Sequence, residues 1–249
     1  LLEAKAEVDM ITTDYDNEYW TPLLMAAQKG HVAVVQTLLE AGAEVERIRD
    51  DGGTVSPVLM IAVQNNHTAV VTALLQVEVD VNQVDPDGNT PLITAVQLGH
   101  VAMVTLLLKE GANVEEELNG NTPLIIAVQL EEPNVAVVKA LLAGKARVDE
   151  ITEAGYTPLF LAAEAGHKAI VTTLLRAGAQ MDKKMDDEQT PLTVAEQQGC
   201  EDLTASFYPW ILARNDPEQQ YFLRFSDLPI DLPIDEEKCP LFTLPKEIV

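Results

Sequence analysis

The chain has 249 residues, 47 % apolar but only 5 % aromatic, and a net charge of −24. So acidic a surface repels phosphate backbones and anionic lipid, which argues against nucleic-acid and membrane partners and leaves a protein or peptide, basic in character, as the expected partner. Two cysteines, Cys200 and Cys239, are too few for a disulfide framework or a zinc site, and no apolar run reaches the roughly 18 residues that span a bilayer.

The chain opens on Leu1-Leu2-Glu3, with no initiator Met and no signal-peptide pattern, and this start reads as a cut inside a longer protein. Residues 1 to 9 resemble only the second half of a repeated unit. A polar loop follows in which Tyr15, Tyr19 and Trp20 are interleaved with Asp14, Asp16 and Glu18. Thr21-Pro22-Leu23 then begins a pattern that recurs as Thr90-Pro91-Leu92, Thr122-Pro123-Leu124, Thr157-Pro158-Leu159 and Thr190-Pro191-Leu192, with a degraded copy at Ser56-Pro57-Val58-Leu59. The leucines at 23, 59, 92, 124, 159 and 192 are spaced by 36, 33, 32, 35 and 33 residues. A second marker keeps the same period: leucine pairs ending at Leu2, Leu39, Leu75, Leu108, Leu142 and Leu175, each followed six residues later by Val8, Val45, Val81, Val114, Val148 or Met181. Units therefore start near residues 16, 50, 85, 117, 152 and 185.

Each unit reads as two short helices. Thr before Pro is a good N-cap, and Pro suits the first helical position. A helix such as Leu92 to Leu98 follows, broken by Gly-His at 30–31, 99–100 and 166–167. The second helix, such as Val101 to Leu108, has apolar residues at helical spacing and ends at Gly-Ala, where Gly supplies a left-handed cap. Turn chemistry such as Asp85-Pro86-Asp87-Gly88-Asn89 leads into the next unit. Neither helix can bury its apolar face alone, so the units must stack. The fourth copy carries Glu131-Glu132-Pro133-Asn134 in place of Gly-His, two residues longer, which predicts a distorted inter-helix turn. The sixth copy degenerates after Gly199-Cys200 into Phe207-Tyr208-Pro209-Trp210 and reads as a terminal, capping unit.

This pattern closely resembles the ankyrin repeat over residues 1 to 207. The resemblance implies an all-α solenoid of stacked helix-turn-helix units with β-hairpin fingers, whose fingers and first helices line a concave face used for protein recognition without catalysis. The chain departs from the family in lacking the His after Thr-Pro-Leu, where Leu24, Met60, Ile93, Ile125, Phe160 and Thr193 stand. Tyr19 and Glu188 replace the finger Gly in two copies. Beyond Tyr208 the period is lost. Leu212 to Phe225 suits one more helix, ahead of a Pro-rich extension. Leu244-Pro245-Lys246-Glu247-Ile248-Val249 resembles the opening of an F-box, or else a Pro-punctuated helix start.

Catalytic chemistry finds no support in the residues. His31, His67, His100 and His167 share one repeat position, too far apart to hold one metal, and read as turn residues bonding backbone between units. Cys200 fills the same slot without a neighbouring base, and Gly52-Gly53 is not a phosphate loop. No cofactor or metal is expected. Binding is expected on the fingers and the first helices. The residues before Thr-Pro-Leu are Trp20, Asn89, Asn121, Tyr156 and Gln189, and those of the first finger either anchor a partner or pack internally. A column of Gln28, Gln64, Gln97, Gln129, Glu164 and Gln197 can donate to and accept from an extended peptide, or is plain solvated surface. Acidic finger residues Asp14, Asp16, Asp50, Asp51, Asp85, Asp87, Glu115, Glu116 and Glu117 share a phase and would make a negative stripe. The expectation is a monomeric scaffold or adaptor in the cytoplasm, or in the host cytosol for a bacterial protein delivered into another cell. Two rivals are the substrate-recruiting part of an F-box ubiquitin-ligase adaptor and a targeting module of an enzyme outside this chain.

Overall fold

The computed structural model describes residues 8–10, 12–13, 19–45, 57–77, 79–185, 188–197 and 201–215. The chain divides into two compact units, Leu1–Phe207 and Tyr208–Val249. In the first, short helices alternate: α1 (Pro22–Gln28), α2 (Val32–Glu40), α3 (Val58–Gln64), α4 (Thr68–Leu75), α5 (Pro91–Gln97), α6 (Val101–Lys109), α7 (Pro123–Gln129), α8 (Val135–Ala143), α9 (Pro158–Glu164), α10 (Lys168–Arg176), α11 (Pro191–Gln197) and α12 (Glu201–Ala205). First helices lie against first helices, from α1 on α3 through α9 on α11. Second helices do the same, from α2 on α4 through α10 on α12. This is the all-α stack that the period implies.

The helices start where the caps put them. Thr21, Thr90, Thr122 and Thr157 Oγ1 accept from the backbone N–H three residues on, at 3.2 to 3.4 Å, with Pro in the first turn of each helix. In the Ser56 copy, Pro57 itself is the N-cap and no side chain caps α3. First helices are seven residues long and almost wholly buried. In α5, Pro91 to Val96 are all buried and only Gln97 is exposed. Second helices bury one stripe, such as Met103, Val104 and Leu107 of α6, and expose the other side. Packing rather than intrinsic propensity holds helices this short, because isolated helices of that length are marginal in water.

A hydrogen-bonded ladder joins the units at the base of the fingers. A side-chain oxygen one residue after Val8, Val81, Val114 and Val148 accepts the N–H of a residue in the next unit: Asp9 from Glu44 at 3.1 Å, Asn82 from Asn113 at 2.7 Å, Glu115 from Arg147 at 2.8 Å and Asp149 from Gln180 at 2.9 Å. The fingers are short hairpin-like turns. Among the described residues only Thr12–Thr13 and Tyr19–Trp20 pair as strands, with Thr12 opposite Trp20. The other described fingers close by backbone bonds between Asp85 and Asn89, Leu118 and Asn121, Thr152 and Tyr156, and Met185 and Gln189. The 118–121 turn is one residue shorter, which accounts for the short 32-residue interval before Leu124.

The fourth inter-helix turn is distorted as expected. After α7 the chain leaves through extended Leu130 (φ −61°, ψ 144°), and Asn134 replaces His as N-cap of α8 by accepting from Ala136 N–H. The same unit shifts its C-terminal glycine. Gly42, Gly111 and Gly178 are left-handed after α2, α6 and α10, but here Gly144 is right-handed and Lys145 takes φ +70°. A side chain with a Cβ is strained in that conformation. Lys145→Gly is therefore expected to raise the unfolding free energy by about 0.5 kcal/mol, the relief of strain being partly offset by glycine's greater unfolded entropy. A thermal melt one to two degrees higher by differential scanning calorimetry checks it.

The second unit begins with α13 (Tyr208–Asn215), four residues earlier than the helix expected from Leu212, and Pro209 falls in its first turn, where a missing N–H is tolerated. The Pro-rich extension and the F-box-like 244–249 lie outside the described residues, as do Tyr15, Asp16, Asp14, Asp50 and Asp51.

Candidate functional site

Because a seven-residue helix makes only two turns, little of each first helix is left outward once its buried face is filled. From α3 to α11 the last residue is outward. Gln64, Gln97, Gln129, Glu164 and Gln197 are all exposed at the ends of α3, α5, α7, α9 and α11, and Gln28 is half-buried at the end of α1. Stacking of the first helices sets these side chains in one row. The neighbouring column that begins with Met25 is mostly packed: Ile61, Thr94 and Val194 are buried, whereas Met25 remains exposed at the first described unit.

The histidines support this row. His67 Nε2–H donates to Gln28 O at 3.0 Å and His100 Nε2–H to Gln64 O at 3.4 Å, each reaching back one unit to the backbone of a row residue. Asn134 makes the related bond to Gly99 O at 3.4 Å. These are structural bonds between units. Among the described residues no group of three His, Cys, Asp or Glu side chains converges as metal ligands would. At the distorted fourth turn the chain leaves a shallow cavity of about 210 Å³, lined by Pro133, Val135, His167, Lys168, Ala169 and Ile170.

The finger residues are more occupied than the sequence suggests. Asp85 Oδ1 accepts from Asp87 N–H, Asn89 N–H and the Asn89 side-chain amide, so Asn89 closes its own turn. Asn121 donates to Asn119 O. Tyr156 stacks on Phe160 with ring centroids 4.9 Å apart, against the buried cluster of Phe160, Met185 and Val194. Glu115 is tied to Arg147 through both its oxygens, and this hydrogen bond and charge hold the Arg147 guanidinium above its ordinary pKa. Glu116 accepts from the Asn113 amide. Asp87 and Glu117 are exposed. Trp20 is half-buried on the second strand, and Tyr19 pairs with Thr13 through its backbone.

Some exposed apolar residues are ones that the sequence gives no reason to single out. Leu98, next to Gln97, is 49 % exposed. Val84 and Ile151, each one residue before the turns that open at Asp85 and Thr152, are 56 % and 43 % exposed. Their apolar character reads as core in the sequence. The signal that could have found them is their position in the repeat, between the buried markers rather than on them.

Comparison with known proteins agrees with this architecture. Residues 59–152 and 131–206 match the family model for ankyrin repeats in three copies, and residues 23–75 match the one for ankyrin repeats in many copies. A search of curated proteins finds no match. Among solved structures, the chain is similar to the ankyrin repeat domain of human ASB11 (28 % identity, 76 % of this chain and 83 % of that one, TM-score 0.62). It is also similar to the ankyrin repeat domain of Bcl-3, a member of the IκB protein family (28 % identity, 83 % and 88 %, TM-score 0.68). A third similar chain comes from the complex of the predatory endopeptidase Bd0816 of Bdellovibrio bacteriovorus with the immunity protein Bd3460 (27 % identity, 75 % and 96 %, TM-score 0.60).

Proposed function

The chain belongs to the ankyrin-repeat family, and from that footing we propose that it is a scaffold or adaptor that holds a partner protein or peptide on its concave face. Ankyrin repeats generally mediate protein–protein interaction and are generally non-catalytic modules. The observation that carries the finer reading is the row of Gln64, Gln97, Gln129, Glu164 and Gln197: it is exposed in register on helices that are otherwise mostly buried. Amides both donate and accept, so such a row can meet the backbone of an extended segment whatever its side chains. Leu98, next to Gln97, and Val84 and Ile151 on the finger turns offer exposed apolar surface, and interfaces combine an apolar centre with a polar rim. One similar structure is itself a protein–protein complex, which supports the reading.

The test is capture of a partner by the wild-type protein, followed by affinity measurement with Gln97→Lys/Leu98→Lys. Both side chains are exposed, so the fold should survive the change, as circular dichroism can verify. Binding weaker by about tenfold or more is expected, the effect of losing a contact at the centre of an interface. Unchanged affinity in the folded variant sinks the reading. Tyr19→Ala/Trp20→Ala asks the same of the first finger.

The partner is proposed to be basic, drawn by the net charge of −24. Ion pairs inside the fingers do not cancel that charge, and it steers a cationic partner over a distance of roughly one Debye length. Association is expected to slow as salt is added, with dissociation changing less. An association rate insensitive to salt would remove charge from the account.

A further inference from the structure

We propose that Asn119 is a modification site, which loses its side-chain amide spontaneously through a cyclic imide formed with the backbone nitrogen of Gly120. Leu118 and Asn121 exchange two backbone hydrogen bonds, at 3.0 and 3.1 Å, leaving Asn119 and Gly120 as the two residues at the tip. Both have positive φ, +52° and +73°, the two-residue turn that Asn-Gly favours. Asn119 is exposed.

What sets this asparagine apart is that neither reacting group is held. Among the described residues the Asn119 side chain and the Gly120 N–H make no hydrogen bond, whereas other asparagines are engaged. The side chains of Asn65, Asn82, Asn89, Asn113, Asn121 and Asn134 all bond to protein atoms. Asn66 shares the positive φ, but the N–H that follows it, on His67, is bonded to Ala62 O at 2.9 Å. Rotation about the Asn119 backbone therefore costs at most the two Leu118–Asn121 bonds, a local opening rather than unfolding. Glycine at 120 puts no Cβ beside the attacking nitrogen; a Cβ there would meet the Glu153 side chain, whose Cγ lies 2.8 Å from that position, and force it to shift.

The chemistry needs only water. The Gly120 nitrogen bonds to Asn119 Cγ, the bond from Cγ to the side-chain nitrogen breaks, and that group leaves as ammonia with the Gly120 proton. Water then opens the five-membered imide at either carbonyl. One opening gives aspartate and the other isoaspartate. Either product adds one negative charge to the finger between the third and fourth units. The isoaspartyl form also inserts a backbone carbon, which a two-residue turn cannot take up while keeping both Leu118–Asn121 bonds.

The test ages the wild-type chain in neutral buffer at physiological temperature and follows its peptides by mass spectrometry. The peptide containing Asn119 is expected to gain about 1 Da as a mixture of aspartate and isoaspartate, since the mass difference is that of amide against acid. The gain should be about tenfold faster there than at Asn82, Asn89, Asn113 or Asn134, whose side chains are held and must first be released. No gain at Asn119 over several weeks, a rate equal to that of the bonded asparagines, or aspartate as the only product overturns the proposal.

Discussion

Leu107→Ala is expected to lower the unfolding free energy by about 3 kcal/mol, the loss of transfer energy plus the cavity left behind. Leu107 lies at 0 % exposure in α6, the second helix of a central unit, where α6 meets α5 on one side and α8 on another. No rigid sheet or long helix stands behind it, so the units must absorb the cavity between themselves. Because each unit is stabilised by its own packing and by its immediate neighbours, the damage should spread to the flanking helices rather than stay at one side chain. Urea denaturation followed by far-ultraviolet circular dichroism measures it. A change under about 1 kcal/mol would mean that α6 is not packed as described, since truncating a fully buried leucine in a close-packed core costs more than that.

Ala95→Leu should cost a similar amount from the opposite direction, about 2 kcal/mol or more through overpacking. Every first helix carries Ala three residues after its marker Leu: Ala26, Ala62, Ala95, Ala127, Ala162 and Ala195, of which Ala62, Ala95, Ala162 and Ala195 have no exposed surface at all. The carbonyls of Ala26, Ala62, Ala95 and Ala162 accept the N–H of the histidine that starts the next helix, at 2.9 Å each. A larger side chain there has to push first helices apart and strain that turn at the same time. Calorimetry on the variant checks the direction. Unchanged stability would show that the layers between first helices are not thin, contrary to what their alanines imply.

Much of this was legible in the sequence, because a solenoid writes its period into the chain. Thr-Pro-Leu marks a helix start for local reasons, and the Thr Oγ1 caps at residues 21, 90, 122 and 157 are where the motif puts them. The helices expected at 92–98 and 101–108 are Pro91–Gln97 and Val101–Lys109, within a residue. The odd fourth turn was legible too, since two extra residues and a proline cannot make a Gly-His turn. Glu188, which stands in a glycine slot of the repeat, adopts φ +63° as that slot demands.

What could not be read needed partners about thirty residues away. The ladder from Asp9, Asn82, Glu115 and Asp149 to the next unit depends on how closely the stack brings the finger bases together. The acidic fingers looked like a free stripe, but Asp85 is engaged in its own turn and Glu115 with Arg147. Tyr156 was expected on the binding surface, and its stacking on Phe160 was not legible. Leu98, which nothing in the sequence singles out, is half exposed, because a helix two turns long leaves its last residue and the one after it outside the buried layer.

Hydrogen exchange on the chain with and without its captured partner tests the central reading most directly. Partner-induced protection is expected at the ends of the first helices and at the finger turns, over residues 84–98, 118–130 and 151–165. Protection confined to the exposed side of the second helices α4, α6, α8 and α10, with those segments unchanged, would contradict it.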